Sequence, residues 1–325
     1  MTQDDIIIIG GGPTGIWGLY HTGLRQVRSR LIESLPELGG QVTAMYPEKF
    51  IYDVGGFPRV LGRELVDQLR LQSVKGSSEI SLGEKVLEMH PEDRGWRLVT
   101  TAGERGAKAV VITSGLGAFR PKKLGLPEED AYLGRGVSYF VRSVSRMEGR
   151  RIVIVGGGDS AVDWANAFRG KNHVTLVHRS DRFVAMPGSL EEMRSSGQVS
   201  IRTFTEVSAI RGGEKLEELV LRNVQSGEED VVAADDLLIS IGFNADLGPV
   251  RNWGLELKGG KILVDTEMRT NLPGVFAAGD VVTYPGKLNL IALGFAEIAI
   301  AVKSAVDHAF PGERHGLTHS SSRGF

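Results

Sequence analysis

The run Arg151-Ile-Val-Ile-Val-Gly156-Gly157-Gly158-Asp159-Ser160-Ala161, followed by Val174-Thr-Leu-Val-His178-Arg179, decides how this chain is read. A short β-branched strand enters a glycine turn, and an Ala- and Trp-containing stretch with helical spacing leaves it. This is the strand–turn–helix of a dinucleotide site. The glycines permit the tight turn, and the helix N-terminus offers free N–H groups to a pyrophosphate. The candidates are Gly156, Gly158, Asp159, Ser160 and Ala161; the last fills a place where the fingerprint accepts Gly or Ala. The same design stands at the N-terminus as Ile6-Ile-Ile-Ile9-Gly10-Gly11-Gly12-Pro13-Thr14-Gly15, with Gly10, Gly12, Thr14 and Gly15 as candidates. The two turns lie 156 − 10 = 146 residues apart.

Glu33, 18 residues past Gly15, closes the second strand of the first copy, and adding 146 to 33 leads to Arg179. A carboxylate in that place accepts hydrogen bonds from a ribose 2′-OH, as FAD or NAD requires. A guanidinium suits a 2′-phosphate. One chain therefore holds two different dinucleotides, and the second reads as NADP, with Arg179 at its 2′-phosphate. The competing reading is a pair of empty Gly-rich loops and an exposed charged strand end. It requires both turns to sit by accident between strand and helix.

At 325 residues the chain is long enough for two domains, each with its own core. The 38 Lys and Arg against 40 Asp and Glu give no reason to invoke nucleic acid or a membrane surface. Cysteine is absent, which excludes disulfides, thiolate metal sites, iron–sulfur clusters and dithiol redox centres in this chain. The acidic start Met-Thr-Gln-Asp-Asp lacks the basic region of a signal peptide. The apolar stretch Leu288 to Val302 is interrupted by Asn289 and Glu297 and is too short to span a bilayer. The expectation is a soluble cytoplasmic protein.

Along the chain, residues 6–33 read strand, helix, strand. Residues 39–58 are irregular and rich in Gly, Pro and aromatics, which argues for something flat to pack on. A helix is expected over Leu61 to Gln72. Strands are expected over Ile80–Met89, Trp96–Thr101, Ala109–Thr113, Val199–Phe204, Leu216–Asn223 and Asp230–Ile241. Phe119-Arg-Pro121 and Gly242-Phe-Asn-Ala-Asp246 look like crossings between domains. Leu272 to Asp280 reads as an apolar strand ending in Gly-Asp, which puts the Asp280 carboxylate at the ligand crevice; the alternative is a cap for the next helix. That last helix runs roughly from Gly294 to Phe310, and its N-terminal dipole would favour negative charge on a reduced flavin. The tail through His319 and Ser321 reads, by itself, as a frayed end. Arg25, Arg28 and Arg30 form a local basic cluster, either a solvated helix end or a docking face for an acidic partner.

With both glycine turns, Gly39-Gly40-Gln41, Gly279-Asp280 and the charged strand end in place, the whole chain resembles the thioredoxin-reductase superfamily of flavoproteins. Thioredoxin reductases carry Cys-x-x-Cys just before the second turn. The matching run here is Gly136-Val137-Ser138-Tyr139-Phe140-Val141-Arg142-Ser143, with Phe140 and Ser143 at the cysteine positions. Disulfide reduction by that route is excluded. What remains is similar to the ferredoxin–NADP reductases of thioredoxin-reductase type, through Tyr46-Pro-Glu-Lys-Phe50-Ile-Tyr-Asp-x-x-Gly-Phe-Pro58, the Gly-Gly-Gly-Asp-Ser-Ala turn, Thr283-Tyr-Pro-Gly-Lys-Leu288 and the His-Ser-Ser tail.

The resemblance implies an α/β fold of two Rossmann-like, three-layer dinucleotide-binding domains. An NADPH domain (119–242) would be inserted into a discontinuous FAD domain (1–118 and 243–325), with the crossings near 118 and 243 as the hinge. It implies a homodimer in which the tail of one subunit reaches its mate's flavin, with His319 stacked on one flavin face, Ser321 nearby and Phe50 on the other face. It further implies Thr14, Glu33, Gln41, Tyr46, Val86 (through its backbone), Phe119 and Asp280 around FAD. The superfamily's His-Arg-Arg strand end is here His178-Arg179-Ser180-Asp181-Arg182, which implies His178, Arg179 and Arg182 around the NADP phosphate, with Arg182 in place of the basic residue missing at Ser180. No catalytic residue and no metal is expected, because the flavin carries the chemistry. Electrons would pass from NADPH through FAD to ferredoxin or flavodoxin. The rivals are an NADPH oxidase or diaphorase with another acceptor, and a non-catalytic NADPH-binding regulator that keeps FAD structurally.

Overall fold

A computed structural model of the chain describes residues 3–73, 78–141, 143–313 and 315. The chain divides into two compact units, Met1–Phe119 with Ala245–Phe325, and Arg120–Asn244.

The first unit is built on a seven-stranded sheet. Five strands run parallel, in the spatial order Ser78–Leu82, Ser29–Glu33, Gln3–Ile9, Gly103–Ile112 and Val275–Ala277. Ile6, Ile7 and Ile8 are all fully buried, as a strand covered on both faces must be. Helices Pro13–Leu24 and Ile291–Ala309 pack on the sheet and on each other, and Gly62–Ser73 packs on the first of them. Gly103–Ile112 is long enough to serve two partners along one side. Its first half pairs antiparallel with Gly95–Thr100, and its last residues pair with Val275–Ala277. Val86–Glu92 continues the antiparallel end. Two indoles tie the early and late parts of the chain together: Trp96 Nε1 donates to the Pro273 carbonyl at 3.0 Å, and Trp253 Nε1 to Leu87 at 3.1 Å.

The second unit carries a five-stranded parallel sheet in the order Val137–Ser138, Asp236–Ile239, Arg151–Val155, His173–Val177 and Val199–Arg202. Helices Asp159–Phe168 and Pro187–Ser195 follow its strands, and Thr205–Gly212, Leu216–Asn223 and Glu229–Ala233 form an antiparallel three-stranded sheet. Both units are Rossmann-like. The crossing segments Ala118–Pro121 and Phe243–Asp246 are short strands paired with each other. No described helix is long and apolar enough to cross a membrane.

Two single-strand expectations divide. The segment expected over Ile80–Met89 breaks at Gly83, whose φ of +68° turns the chain. Gly83 and Glu84 donate backbone hydrogen bonds to Leu35 and Glu33, so the chain passes over the end of strand Ser29–Glu33 on its way to the other edge of the sheet. The segment expected over Asp230–Ile241 breaks at Ala234 and Asp235, and its halves enter different sheets. Asp235 is the reason for a polar residue there. Its carboxylate accepts the Arg151 N–H at 2.9 Å and the Arg151 guanidinium at 2.7 and 3.1 Å, joining the entry points of the two central strands. The last helix starts at Ile291, three residues before Gly294.

The hydrogen bonds from Arg151 hold the Asp235 carboxyl at about 2, down from 3.8. A depressed folded-state value adds stability above the unfolded value, and that stability is lost as pH falls through the folded value. Asp235→Asn is therefore expected to lower stability by a constant amount above pH ~5. The gap to the parent should close between about pH 4 and pH 2 in urea unfolding curves.

Candidate functional site

In the first unit Gly10 leaves its strand at φ +115°, and a Cβ there would stand 2.5 Å from the Thr113 carbonyl oxygen. In the second, Gly156 has φ +153°, and a Cβ would stand 2.3 Å from the Ser240 carbonyl oxygen. Thr113 and Ser240 each follow the next strand of the sheet, so both turns cross a strand end at backbone contact. Gly12 and Gly158 are the N-caps of helices Pro13–Leu24 and Asp159–Phe168, and neither cap makes a side-chain hydrogen bond. A Cβ on Gly12 would meet nothing within 4 Å, and on Gly158 only Val184 at 4.0 Å. Open space before an uncapped helix N-terminus fits a pyrophosphate in each unit. The third position differs. A Cβ on Gly15 would lie 1.9 Å from the Gly10 carbonyl oxygen, whereas Ala161 is accommodated, fully buried, in the corresponding place.

Glu33 is buried at the end of its strand. Oε2 accepts the Gly11 N–H at 2.6 Å, and Oε1 accepts the Leu35 N–H at 2.8 Å and the Ser34 hydroxyl at 3.1 Å. A carboxylate offers about four acceptor positions, which leaves room for a hydroxyl donor. The residue in the equivalent place is His178, not Arg179. Ile9 pairs with Ile32, but Val155 pairs with Val177, and Gly10 and Gly156 donate to the carbonyls of Ile32 and Val177. Since 32 + 146 = 178, the second copy is one residue shorter between turn and strand end. Side-chain placement agrees: Glu33 lies against Gly11, and the His178 ring lies against Gly157.

His178 Nε2 lies 3.2 Å from both the Arg182 carbonyl oxygen and Ser180 Oγ. Val184 N–H donates to Gly157, and Met186 N–H donates to Asp159 Oδ1 at 2.7 Å, so the chain after the strand is folded against the turn. Arg179 and Arg182 are exposed, and their guanidinium groups have no hydrogen-bond or ion-pair partner among the described residues. Many other arginines are bound to carboxylates; Arg151, Arg169, Arg202 and Arg222 are instances in the same unit. Two unpaired guanidinium groups within four residues, and no carboxylate in Glu33's place, fit a 2′-phosphate.

Around the first turn, Gly39 donates to the Gly11 carbonyl, and the Gln41 amide sits beside Gly115. Ser114 Oγ is buried without a partner among the described residues. Thr14 Oγ1 lies against both Gly279 and Gly294, so the first helix, the Gly-Asp strand end and the last helix converge. Asp280 is half-buried with no described hydrogen bond; burial raises its carboxyl, against the pull of Lys287 and Lys261. It caps no helix, because Val282–Thr283 follows it and the next helix begins at Ile291. Tyr46 packs on the core, and burial, with the charges of Asp280 and Asp53, pushes its phenol up to about 12.

Phe50 stands 39% exposed on the hairpin Phe50–Ile51/Val60–Leu61, with the Arg59 guanidinium 4.7 Å over its ring. Val86 is buried opposite Thr100 at a strand start. His319, Ser321 and the side chain of Phe119 lie outside the described residues. Phe140, in a cysteine position, stacks on Phe243 at 5.5 Å. The Arg25 cluster is structural: Arg25 is buried and donates to the His21 carbonyl, and Arg28 and Arg30 pair with Asp4 and Glu79.

The sequence reading missed Glu297. It is 2% exposed in the last helix, and its carboxylate takes three bonds: the Gly279 N–H at 2.7 Å, the Tyr284 hydroxyl at 2.6 Å and Lys287 Nζ at 2.6 Å. The Lys287 side chain is equally buried, and burial together with the Glu297 carboxylate raises the Tyr284 phenol. The available signal was one carboxylate among the otherwise apolar residues 291–302 of that helix.

The third-position contrast gives a test. Gly15→Ala is expected to cost more than the about 1–3 kcal/mol usual for overpacking, because the obstacle is a backbone carbonyl. Ala161→Gly loses only one buried methyl and some helix propensity, about 1–2 kcal/mol. Thermal unfolding of the two variants measures the difference.

The family model for pyridine nucleotide-disulphide oxidoreductases matches residues 4–305. The chain is 41% identical over 321 residues to a ferredoxin–NADP reductase of Geobacillus kaustophilus, covering 98% of this chain and 96% of that protein. It is 42% identical over 320 residues to ferredoxin–NADP reductase 2 of Bacillus subtilis, with the same coverage. Among solved structures, the thioredoxin reductase of Lactococcus lactis in its FR conformation superposes with a TM-score of 0.80 at 26% identity, over 94% of this chain and 99% of that one. Two glycine turns over strand ends, a buried acid at one and unpaired arginines at the other, and these matches along nearly the whole length make the chain a member of the pyridine nucleotide-disulphide oxidoreductase family, in its ferredoxin–NADP reductase branch.

Proposed function

We propose that this protein moves electrons between NADPH and a ferredoxin or flavodoxin through a bound FAD. The observation that carries the reading is the 41–43% identity to ferredoxin–NADP reductases over 98% of a chain that contains no cysteine. A dithiol route to disulfides is thereby closed. FAD supplies the exchange between a two-electron donor and one-electron acceptors.

The protein's own residues bind and orient. In the 1–118 and 243–325 domain, Gly10, Gly12, Thr14 and Gly15 form the pyrophosphate cradle for FAD, and Glu33 takes a ribose hydroxyl. Gln41, Tyr46 and Asp280 stand around the FAD. Phe50 offers an aromatic face to one side of the ring, and Val86 and Phe119 complete the site. His319 and Ser321 belong to this site through the tail of a second subunit, so the protein acts as a homodimer. In the 119–242 domain, Gly156, Gly158, Asp159, Ser160 and Ala161 cradle NADPH. Arg179 and Arg182 hold its 2′-phosphate, with the His178 ring packed beneath. A cytoplasmic setting completes the proposal.

Stopped-flow reduction by NADPH and by NADH, followed by ferredoxin addition, tests the reading. Flavin bleaching by NADPH and ferredoxin-dependent reduction of cytochrome c are expected, faster than direct oxygen consumption. Oxygen consumption that outruns ferredoxin reduction identifies an oxidase, and an unbleached flavin identifies a regulator. Arg179→Glu is expected to lower kcat/KM for NADPH at least about tenfold, the worth of one charge-assisted hydrogen bond, with little change for NADH.

A further inference from the structure

The Lys287–Glu297 pair is a buried, fully bonded ion pair that no step of the proposed mechanism uses. Such a pair is weak evidence for stability, since well-packed apolar residues often serve equally well. Its location is more informative. Glu297 holds the Gly279 N–H, one residue before Asp280, and Lys287 is the largest charge acting to lower the Asp280 carboxyl. Thr14, Gly279 and Gly294 meet at the same point. The pair thus sits beneath the convergence of three segments assigned to FAD, and its two charges cancel there.

We propose that Glu297 and Lys287 are positioning residues. Together they fix the Gly279–Asp280 turn and keep the local charge balanced beside the flavin, so that the pair sets the reduction potential of the bound FAD. The proposal rests on the FAD reading of this unit. Its logic is one of sign. Reduction adds negative charge, so a positive charge left uncompensated favours the reduced form, and a negative one disfavours it. Glu297 also faces three donors. An amide at this position puts N–H groups against one of them, which loosens the turn whatever the charge.

The test is the flavin midpoint potential of the full-length holoprotein, each variant compared with the parent at the same pH. Glu297→Gln, Lys287→Met and the double variant are all measured at one common pH. The expected result is a higher potential in Glu297→Gln, a lower one in Lys287→Met, and a return toward the parent in the double variant. Shifts of the same sign in both single variants, or none, overturn the proposal, because loosening of the turn would move both alike. If Glu297→Gln does not fold, Lys287→Arg is compared with Lys287→Met: the charge-keeping variant stays near the parent potential while the neutral one falls, and equal shifts in the two overturn the proposal. Failure of the parent to bind FAD overturns the FAD reading first, and this inference with it.

Discussion

Both units depend on one contact, the passage of a glycine over the carbonyl at the end of the neighbouring strand. At Gly10 and Gly156 no Cβ fits, because Thr113 and Ser240 present backbone oxygen 2.3–2.5 Å away from where it would be. Backbone atoms cannot rotate aside as a side chain can. The turn is therefore fixed by sterics alone, and the turn in turn fixes where the following helix points. The helix N-terminus faces outward at the strand ends, which is where a pyrophosphate meets free N–H groups. The strained geometry of Gly10 and Gly156, both at positive φ, and the recognition of phosphate are thus one requirement.

How far the site was readable follows from what each residue does. The glycine turns and Glu33 were legible because their local geometry depends on spacing within short strand–turn–helix units, and Asp280 because it comes just after an apolar strand. The equivalence of Glu33 and Arg179 was a count, and a count does not know that one helix-to-strand connection is a residue shorter. Only the pairing of Val155 with Val177 puts His178 in that place. Arg28 and Arg30 looked available because their partners Asp4 and Glu79 lie far away in sequence. Glu297 was hidden for the same reason, since Gly279, Tyr284 and Lys287 reach it only after the last helix has packed. The fold-level reading lost accuracy where a segment changed sheets, at Gly83 and at Asp235.

The two sites share a frame and differ in what closes it. In the first, a buried carboxylate is already engaged by Gly11, Ser34 and Leu35, which leaves a rigid acceptor for a neutral hydroxyl. In the second, the imidazole is pinned by Ser180 and the Arg182 carbonyl, while neither guanidinium group has a partner among the described residues. An acceptor already held by three donors and a pair of exposed cations suit different occupancies: a cofactor that stays and a coenzyme that comes and goes.

The long strand Gly103–Ile112 has a consequence for how the molecule is made. Its last residues are flanked on one side by Val275–Ala277, which is synthesised after the whole of the second unit. Until that segment emerges from the ribosome, residues 110–112 expose an unpaired edge, and the floor beneath Gly10 is incomplete. The inserted unit, whose strands are all contiguous in its own stretch of chain, has everything it needs to fold first. The second dinucleotide turn thus draws all its strands from one stretch of chain, whereas the sheet that carries the first is closed only by a strand from beyond the insertion.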